Sequence, residues 1–169
     1  MSGFHTKTFT IHDDYMTPKT AWESIKHLIP SDKIIWESAY GDGNSGKYLN
    51  DLDFNVIHKP IDYFNDEPDE WDIQITNPPF TMKKEWFKRA KEFGKPFIIL
   101  SPSSMINTKY IRELFSNEKE KLKILIPRQR IQFIKLVNGK IPEDFKPRCN
   151  FDCFYYCWKI DLQRDITWL

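Results

Sequence analysis

Residues 70–86 read "EWDIQITNPPFTMKKEW", an alternating apolar–polar run that passes without a spacer into Asn77-Pro78-Pro79-Phe80. Period-two alternation over Trp71–Thr76 predicts a buried strand, and the two prolines end it. Each proline fixes its φ near −65° and lacks an N–H, so the backbone after Asn77 is stiff and its carbonyls are free acceptors. The Asn77 side chain adds another carbonyl. Two acceptors held a few ångströms apart match the two hydrogens of an exocyclic amino group, and Phe80 offers a face to a planar ring. The turn therefore reads as a pocket for an aromatic amine or an amide. The same residues also fit a rigid loop that merely ends the strand, with Phe80 in the core.

Working outward, strand and helix alternate. "TPKTAWESIKHLIP" (17–30) predicts a helix with Thr17 as cap, Pro18 at its first position and Ala21, Ile25, Leu28 and Ile29 on one face. "KIIWESAYGDGNSGKYLNDL" (33–52) reads as strand, glycine-rich turn and helix, and "FNVIHKP" (54–60) as a second strand. After the Asn-Pro-Pro-Phe turn come a helix with Trp86, Phe87, Ala90 and Phe93 on one side, the buried strand "KPFIILSP" (95–102) and a helix within "SSMINTKYIRELFSNEK" (103–119). The tail changes to strand after strand: "KLKILIP", "RQRIQFIKL", the turn "VNGK", the loop "IPEDFKPRCN" and "FDCFYYCWKI". This order predicts an α/β sheet, parallel in its first half, with helices on both faces and a terminal antiparallel hairpin. In such sheets ligands sit beyond the carboxyl ends of the strands, where both "ESAYGDG" (37–43) and "TNPPF" (76–80) fall.

Composition bounds the partners. The 169 residues carry 25 Lys+Arg against 24 Asp+Glu, a formal net charge of +1, so no global basic field marks a polyanion ligand and any such contact needs a local patch. Candidates for that patch are Lys119, Lys121, Lys123, Arg128 and Arg130 beside the late hairpin, with Lys146 and Arg148 in the proline-bounded loop; a solvated surface explains them equally well. The length fits one domain over residues 1–169, as a monomer or a symmetric homodimer. No run of about 18 apolar residues occurs and "MSGFHTKTFTIHDDY" lacks the apolar middle of a signal peptide, so a cytoplasmic protein without membrane contact is expected. Cys149, Cys153 and Cys157 share one face of an extended segment and lack the paired spacing of zinc sites, so no metal is expected.

"NPPF" after an alternating strand, with "ESAYGDG" upstream and "DDYMTP" (13–18) upstream again, resembles the class I S-adenosylmethionine-dependent DNA N6-adenine methyltransferases, the small phage and viral enzymes most closely. The resemblance extends through "RIQFIKLVNGKIP" and the long apolar strand after it. It implies a Rossmann-like seven-stranded sheet with one antiparallel strand and no separate target-recognition domain. The implied cofactor is S-adenosylmethionine, the partner DNA, duplex or single-stranded, and the setting a bacterial or virus-infected host cytoplasm. Asn77, Pro78, Pro79 and Phe80 would hold the flipped target base. Glu37, Ala39, Gly41 and Gly43 would line the methionine and ribose portions of the cofactor, with Tyr15, Thr17 and Pro18 closing over the methionine end. Asp62 would meet the cofactor adenine, with Tyr63 or Phe64 against its ring. One departure stands out: where the family ends its second strand with an acidic residue for the ribose, this chain has His58-Lys59-Pro60. Asp62, 19 residues after Gly43, is near the usual spacing of about 20 and can take that role; otherwise cofactor affinity is reduced.

Two other readings stay open. The same chemistry can act on adenine in RNA or on a protein glutamine amide, although an extra N-terminal helical domain that would favour the protein substrate is lacking. Alternatively, the His58-Lys59-Pro60 departure fits a methyltransferase-fold subunit that has lost turnover and binds DNA or a partner.

Overall fold

The structure is a computed structural model that describes residues 15–144 and 151–169. In chain order its elements are β1 (Tyr15–Met16), α1 (Lys19–Glu23), β2 (Ile34–Trp36), α2 (Asn44–Asp51), β3 (Asn55–Ile57), β4 (Ile73–Thr76), α3 (Lys83–Glu92), β5 (Phe97–Pro102), α4 (Lys109–Phe115), β6 (Lys123–Ile126), β7 (Ile134–Lys135), β8 (Cys153–Trp158) and β9 (Ile166–Trp168). Seven strands form one sheet in the order β3-β2-β4-β5-β8-β6-β9. All neighbours are parallel except at β8, which runs antiparallel to both β5 and β6. This is the mixed, Rossmann-like sheet expected from the sequence.

Alternation divides each strand between two faces. Ile98 and Leu100 of β5, with Cys153, Tyr155 and Cys157 of β8, enter the cluster that takes Ala21 and Trp22 of α1 and Leu49 of α2. Phe97 and Ile99, with Tyr156 and Trp158, enter the opposite cluster, closed by Phe87 and Ala90 of α3 and Ile111 and Phe115 of α4. Fully burying side chains of this size stabilises by roughly 1.5–3 kcal/mol each. In β4, Ile73 and Ile75 join the first cluster, and the alternate residues Gln74 and Thr76 are buried polar groups.

The helix expected over residues 17–30 is broken. Pro18, not Thr17, sits at the cap position, with no side-chain cap bond, and α1 lasts five residues. The Ala21 carbonyl is taken by the hydroxyls of Ser24 and Tyr155, and Ile25 N–H bonds Trp22 instead, so the chain tightens into a 3-10 turn at Lys26–Leu28.

The C-terminal region keeps an antiparallel pair, β6 beside β8, but joins them by a long excursion rather than a tight turn. Within it the strand expected over "RQRIQFIKL" shrinks to β7, which leaves the main sheet and pairs antiparallel with β1, Tyr15 opposite Lys135 and Met16 opposite Ile134. The "VNGK" turn forms as read: Asn138 and Gly139 have φ of 51° and 74°, and Val137 and Lys140 exchange backbone hydrogen bonds of 2.9 and 3.1 Å. The chain then adds β9, unforeseen in the sequence, at the edge beside β6. Cys153 and Cys157 are buried free thiols, and among the described residues no cluster of metal-ligating side chains occurs. Lys146, Arg148 and Cys149 lie outside the described residues. Among the described residues no helix is long and apolar enough to cross a membrane.

One packing contact ties the glycine-rich turn to β3. A β-carbon at Gly46 of α2 would lie 2.1 Å from the ring of His58. We expect Gly46→Ala to destabilise the fold by about 1–3 kcal/mol in urea unfolding, the overpacking outweighing a helix-propensity gain of about 1 kcal/mol. Adding His58→Ala should return part of the loss.

Candidate active site

β2 and β4 are adjacent parallel strands, so the segments that leave their carboxyl ends, Glu37–Gly43 and Asn77–Phe80, lie side by side. A cavity of about 330 Å³ opens between them. Its polar wall includes Glu37, Ala39, Gly41 and Asp62, and its other wall Tyr15, Thr17 and all four residues Asn77, Pro78, Pro79 and Phe80. Tyr63 and Phe64 border it too. Two of the residues singled out from the sequence do not: Pro18 is spent as the cap of α1, and Gly43 (φ 86°) caps α2 from outside the cavity. Gly41 and Gly43, both at positive φ, allow the sharp reversal that brings the turn against β1.

Glu37 is fully buried. Its Oε1 accepts the Thr76 hydroxyl and the Ala39 N–H, the latter at 3.1 Å, and its Oε2 accepts the Ser45 hydroxyl. Burial pushes its pKa up to about 7, against the opposing pull of the Ser45, Thr76 and Ala39 donors. Trp22 of α1 donates to the Ser45 oxygen at 2.9 Å, which extends the network to the first helix.

The Asn77 amide is oriented. Its Nδ2 donates to Thr17 Oγ1 at 3.0 Å, and its Oδ1 is buried without a partner. Such an atom costs about 1–3 kcal/mol unless a ligand supplies a donor. Thr17, read from the sequence as a helix cap, is thus a support for Asn77. Phe80 is not a free platform. Its ring meets Phe133 and Phe151 edge-on, with centroids 5.8 and 5.1 Å away, and Tyr15 at 5.6 Å.

The aromatic residues after Asp62 part company. The Tyr63 ring stacks on Trp86 at 3.9 Å and 4°, and its hydroxyl donates to Trp86 O at 3.2 Å and bonds the Gln74 side chain. Tyr63 is therefore committed to the core, while Phe64 is half-buried at the cavity. Asp62 is exposed and accepts Phe64 N–H (3.2 Å) and Asn65 Nδ2 (2.7 Å). His58 turns away: its Nε2 donates to the Tyr40 carbonyl at 3.0 Å and its ring stands 4.7 Å from that of Tyr40. Burial lowers its pKa. Neither His58 nor Lys59 lines the cavity; the exposed carboxylates that do are Asp62 and Asp42. Neither Asp42 nor Trp86 was assigned to the site from the sequence: the first was hidden in a turn noted for its glycines, and the second was read as the apolar face of a helix.

The basic residues proposed as one patch are divided by strand polarity. Lys119, Lys121 and Lys123 lie at the amino end of β6, the sheet edge away from the cavity; Lys121 pairs with Asp165 at 3.5 Å and Lys123 donates to the Leu162 carbonyl. Arg128 and Arg130 follow its carboxyl end. Arg130 grips Asp152 through two bonds, 2.9 and 3.0 Å.

The sheet and its cavity at the carboxyl edge define the Rossmann-like fold of class I methyltransferases. A Listeria monocytogenes protein assigned to the class I S-adenosylmethionine-dependent methyltransferases aligns with TM-score 0.55 and 12% identity, over 90% of this chain and 64% of that one. A dimethyladenosine transferase from Plasmodium falciparum aligns with TM-score 0.48 and 13% identity, over 85% of this chain and 62% of that one. The chain thus spans a little under two thirds of either protein, and at these identities the likeness concerns the fold alone. No model of a known protein family matches the sequence, and no curated protein matches it.

The Glu37 pKa gives a signed pH effect. A carboxyl held neutral in the fold favours folding most below its ordinary value of 4.5, and that advantage is lost as pH rises through about 7. Glu37→Gln should remove the loss, so thermal unfolding should show the variant gaining on wild type between pH 4.5 and 7, by up to about 3 kcal/mol.

Proposed function

We propose that the protein transfers a methyl group from S-adenosylmethionine to the N6 amino group of adenine in DNA. The observation that carries the reading is the buried, unpartnered Oδ1 of Asn77, held by Thr17 at the mouth of a rigid Pro-Pro turn. The cofactor supplies an electrophilic methyl on a sulfonium. On the protein's side, Asn77 Oδ1 and the Pro78 carbonyl accept the two N6 hydrogens. That draws the nitrogen toward tetrahedral geometry and frees its lone pair from the ring. Methylation there would form the N–C bond at the expense of the cofactor's C–S bond and release the nitrogen's extra proton to solvent. A strong base is not needed.

Phe80, backed by Phe133 and Phe151, fixes one wall of the slot for the adenine ring, with Tyr15 beside it. Glu37, Ala39 and Gly41 border the space for the cofactor's methionine and ribose. Asp62 and Asp42 offer acceptors for ribose hydroxyls and the cofactor adenine amino group, and Phe64 a face for that ring. In this assignment the missing acidic residue at the end of β3 is replaced by carboxylates already on the rim.

Adenine in RNA is the second reading, favoured by the same clamp, because Asn77 and Pro78 recognise the amino group and not the sugar. With tritiated S-adenosylmethionine and unmethylated duplex DNA, nucleoside analysis should give N6-methyladenine. Asn77→Ala should lower the rate at least a hundredfold, the loss typical of removing one such donor or acceptor from a transition state, while cofactor binding by calorimetry persists. Thr17→Val should lower kcat about tenfold with cofactor affinity unchanged, since Asn77 keeps its acceptor and loses its anchor. Label in RNA alone would move the substrate; an unchanged rate in Asn77→Ala would end the clamp mechanism.

A further inference from the structure

A second concavity, about 650 Å³, lies between α1, the segment after β6 and the edge strand β9. Its lining contains no Asp or Glu, in a chain that carries 24 of them. Trp168 of β9 stands at its rim 77% exposed. Arg128 is exposed beside it and makes no ion pair among the described residues, in contrast to Arg130, which Asp152 holds. Gln129 and Gln132 add amide groups to the same wall.

The segment that carries Arg128, Gln129 and Gln132 runs on to the wall of the candidate active site. From Arg128 it reaches Phe133, buried and packed against Phe80 and Phe151. Five residues span less than about 20 Å, a distance that a few nucleotides cover. An exposed indole beside an unpaired guanidinium is the combination that holds a nucleic-acid strand without reading its sequence: every base has a face to stack, and every linkage has a phosphate.

We infer that the Arg128–Trp168 groove holds the nucleic-acid strand that flanks the target adenine, Trp168 stacking on a neighbouring base and Arg128 meeting its phosphate. The inference rests on the nucleic-acid reading of the Asn77 site. It also gives the neutral chain the local patch that such a substrate requires.

The test is fluorescence anisotropy with a fluorescein-labelled single-stranded 12-mer of mixed sequence, on the full chain with cofactor binding measured alongside. We expect Trp168→Ala to weaken binding about tenfold and Trp168→Phe to retain most of it. Arg128→Ala should reduce the slope of log Kd against log salt by about 0.7. Lys109→Ala, on α4, should bind as wild type. Unchanged affinity in Trp168→Ala and Arg128→Ala, with the wild type binding, overturns the inference and leaves the methyl-transfer reading intact. A wild type that binds cofactor but no oligonucleotide overturns both the groove and the nucleic-acid substrate. If Trp168→Ala instead converts a dimer to a monomer in sedimentation, with oligonucleotide affinity unchanged, the exposed Ile166–Trp168 edge serves self-association and the inference falls.

Discussion

Glu37 has no contact with water, and burying a carboxyl group is tolerable only where donors surround it. Its three donors come from three places: Ala39 in its own turn, Ser45 at the start of α2, and Thr76 at the end of β4. Moving any one of them would strand a buried polar group, so the two turns that bound the cavity are fixed relative to each other. The constraint closes on itself. Thr76 precedes Asn77, Asn77 reaches Thr17, Thr17 leads into α1, and Trp22 of α1 returns to Ser45. A ring of hydrogen bonds thereby runs around the base of the site, through elements that the sheet alone would leave free to shift.

Two prolines at the end of a buried strand now have a physical reason. A flexible turn would let the Asn77 amide rotate and find a backbone partner of its own; the rigid one leaves Nδ2 to Thr17 and Oδ1 unmet. Rigidity extends to Phe80, whose ring is wedged by Phe133 and Phe151, residues more than 50 positions away. The small β1–β7 sheet brings Tyr15 to the same place. The slot is thus assembled from four segments separated in the sequence, and its shape is set before any ligand arrives, which is the condition for spending binding energy on the transition state rather than on ordering the protein.

What the sequence disclosed follows from the range of the forces involved. Period-two alternation and proline stops are local, so the central strands, their order of appearance and the two turns were legible at residue level. The turn at Asn138-Gly139 was legible for the same reason. Tertiary competition was not. The broken first helix depends on Tyr155, 134 residues from the Ala21 carbonyl it takes, and Thr17 looks like a cap until Asn77 is placed beside it. Tyr63 and Phe64 are neighbours with equivalent aromatic character, and only the position of Trp86 decides which is core. The basic residues near β6 form a cluster in sequence, yet a four-residue strand separates them onto opposite edges of a sheet. β9 went unforeseen because its sequence, "ITW", is too short to carry a period.

The charge distribution limits how far the protein can act on a charged ligand at long range. Several of its cations are already answered within the fold: Lys91 by Glu118, Lys121 by Asp165, Arg130 by Asp152. Long-range steering is therefore weak, and screening at physiological salt removes most of what remains beyond about 8 Å. A ligand then has to be held by short-range terms, such as stacking and hydrogen bonds. The cavity is built for those terms. Its acceptor is neutral and buried and its ring slot is aromatic, whereas the exposed carboxylates Asp42 and Asp62 stand on the glycine-turn side. Anionic rims repel a phosphate backbone and favour hydroxyl and amino donors. The two kinds of wall thus differ in the charge they favour: the glycine-turn side suits hydroxyl, amino and cationic groups, and the Asn77 side suits a neutral planar ring.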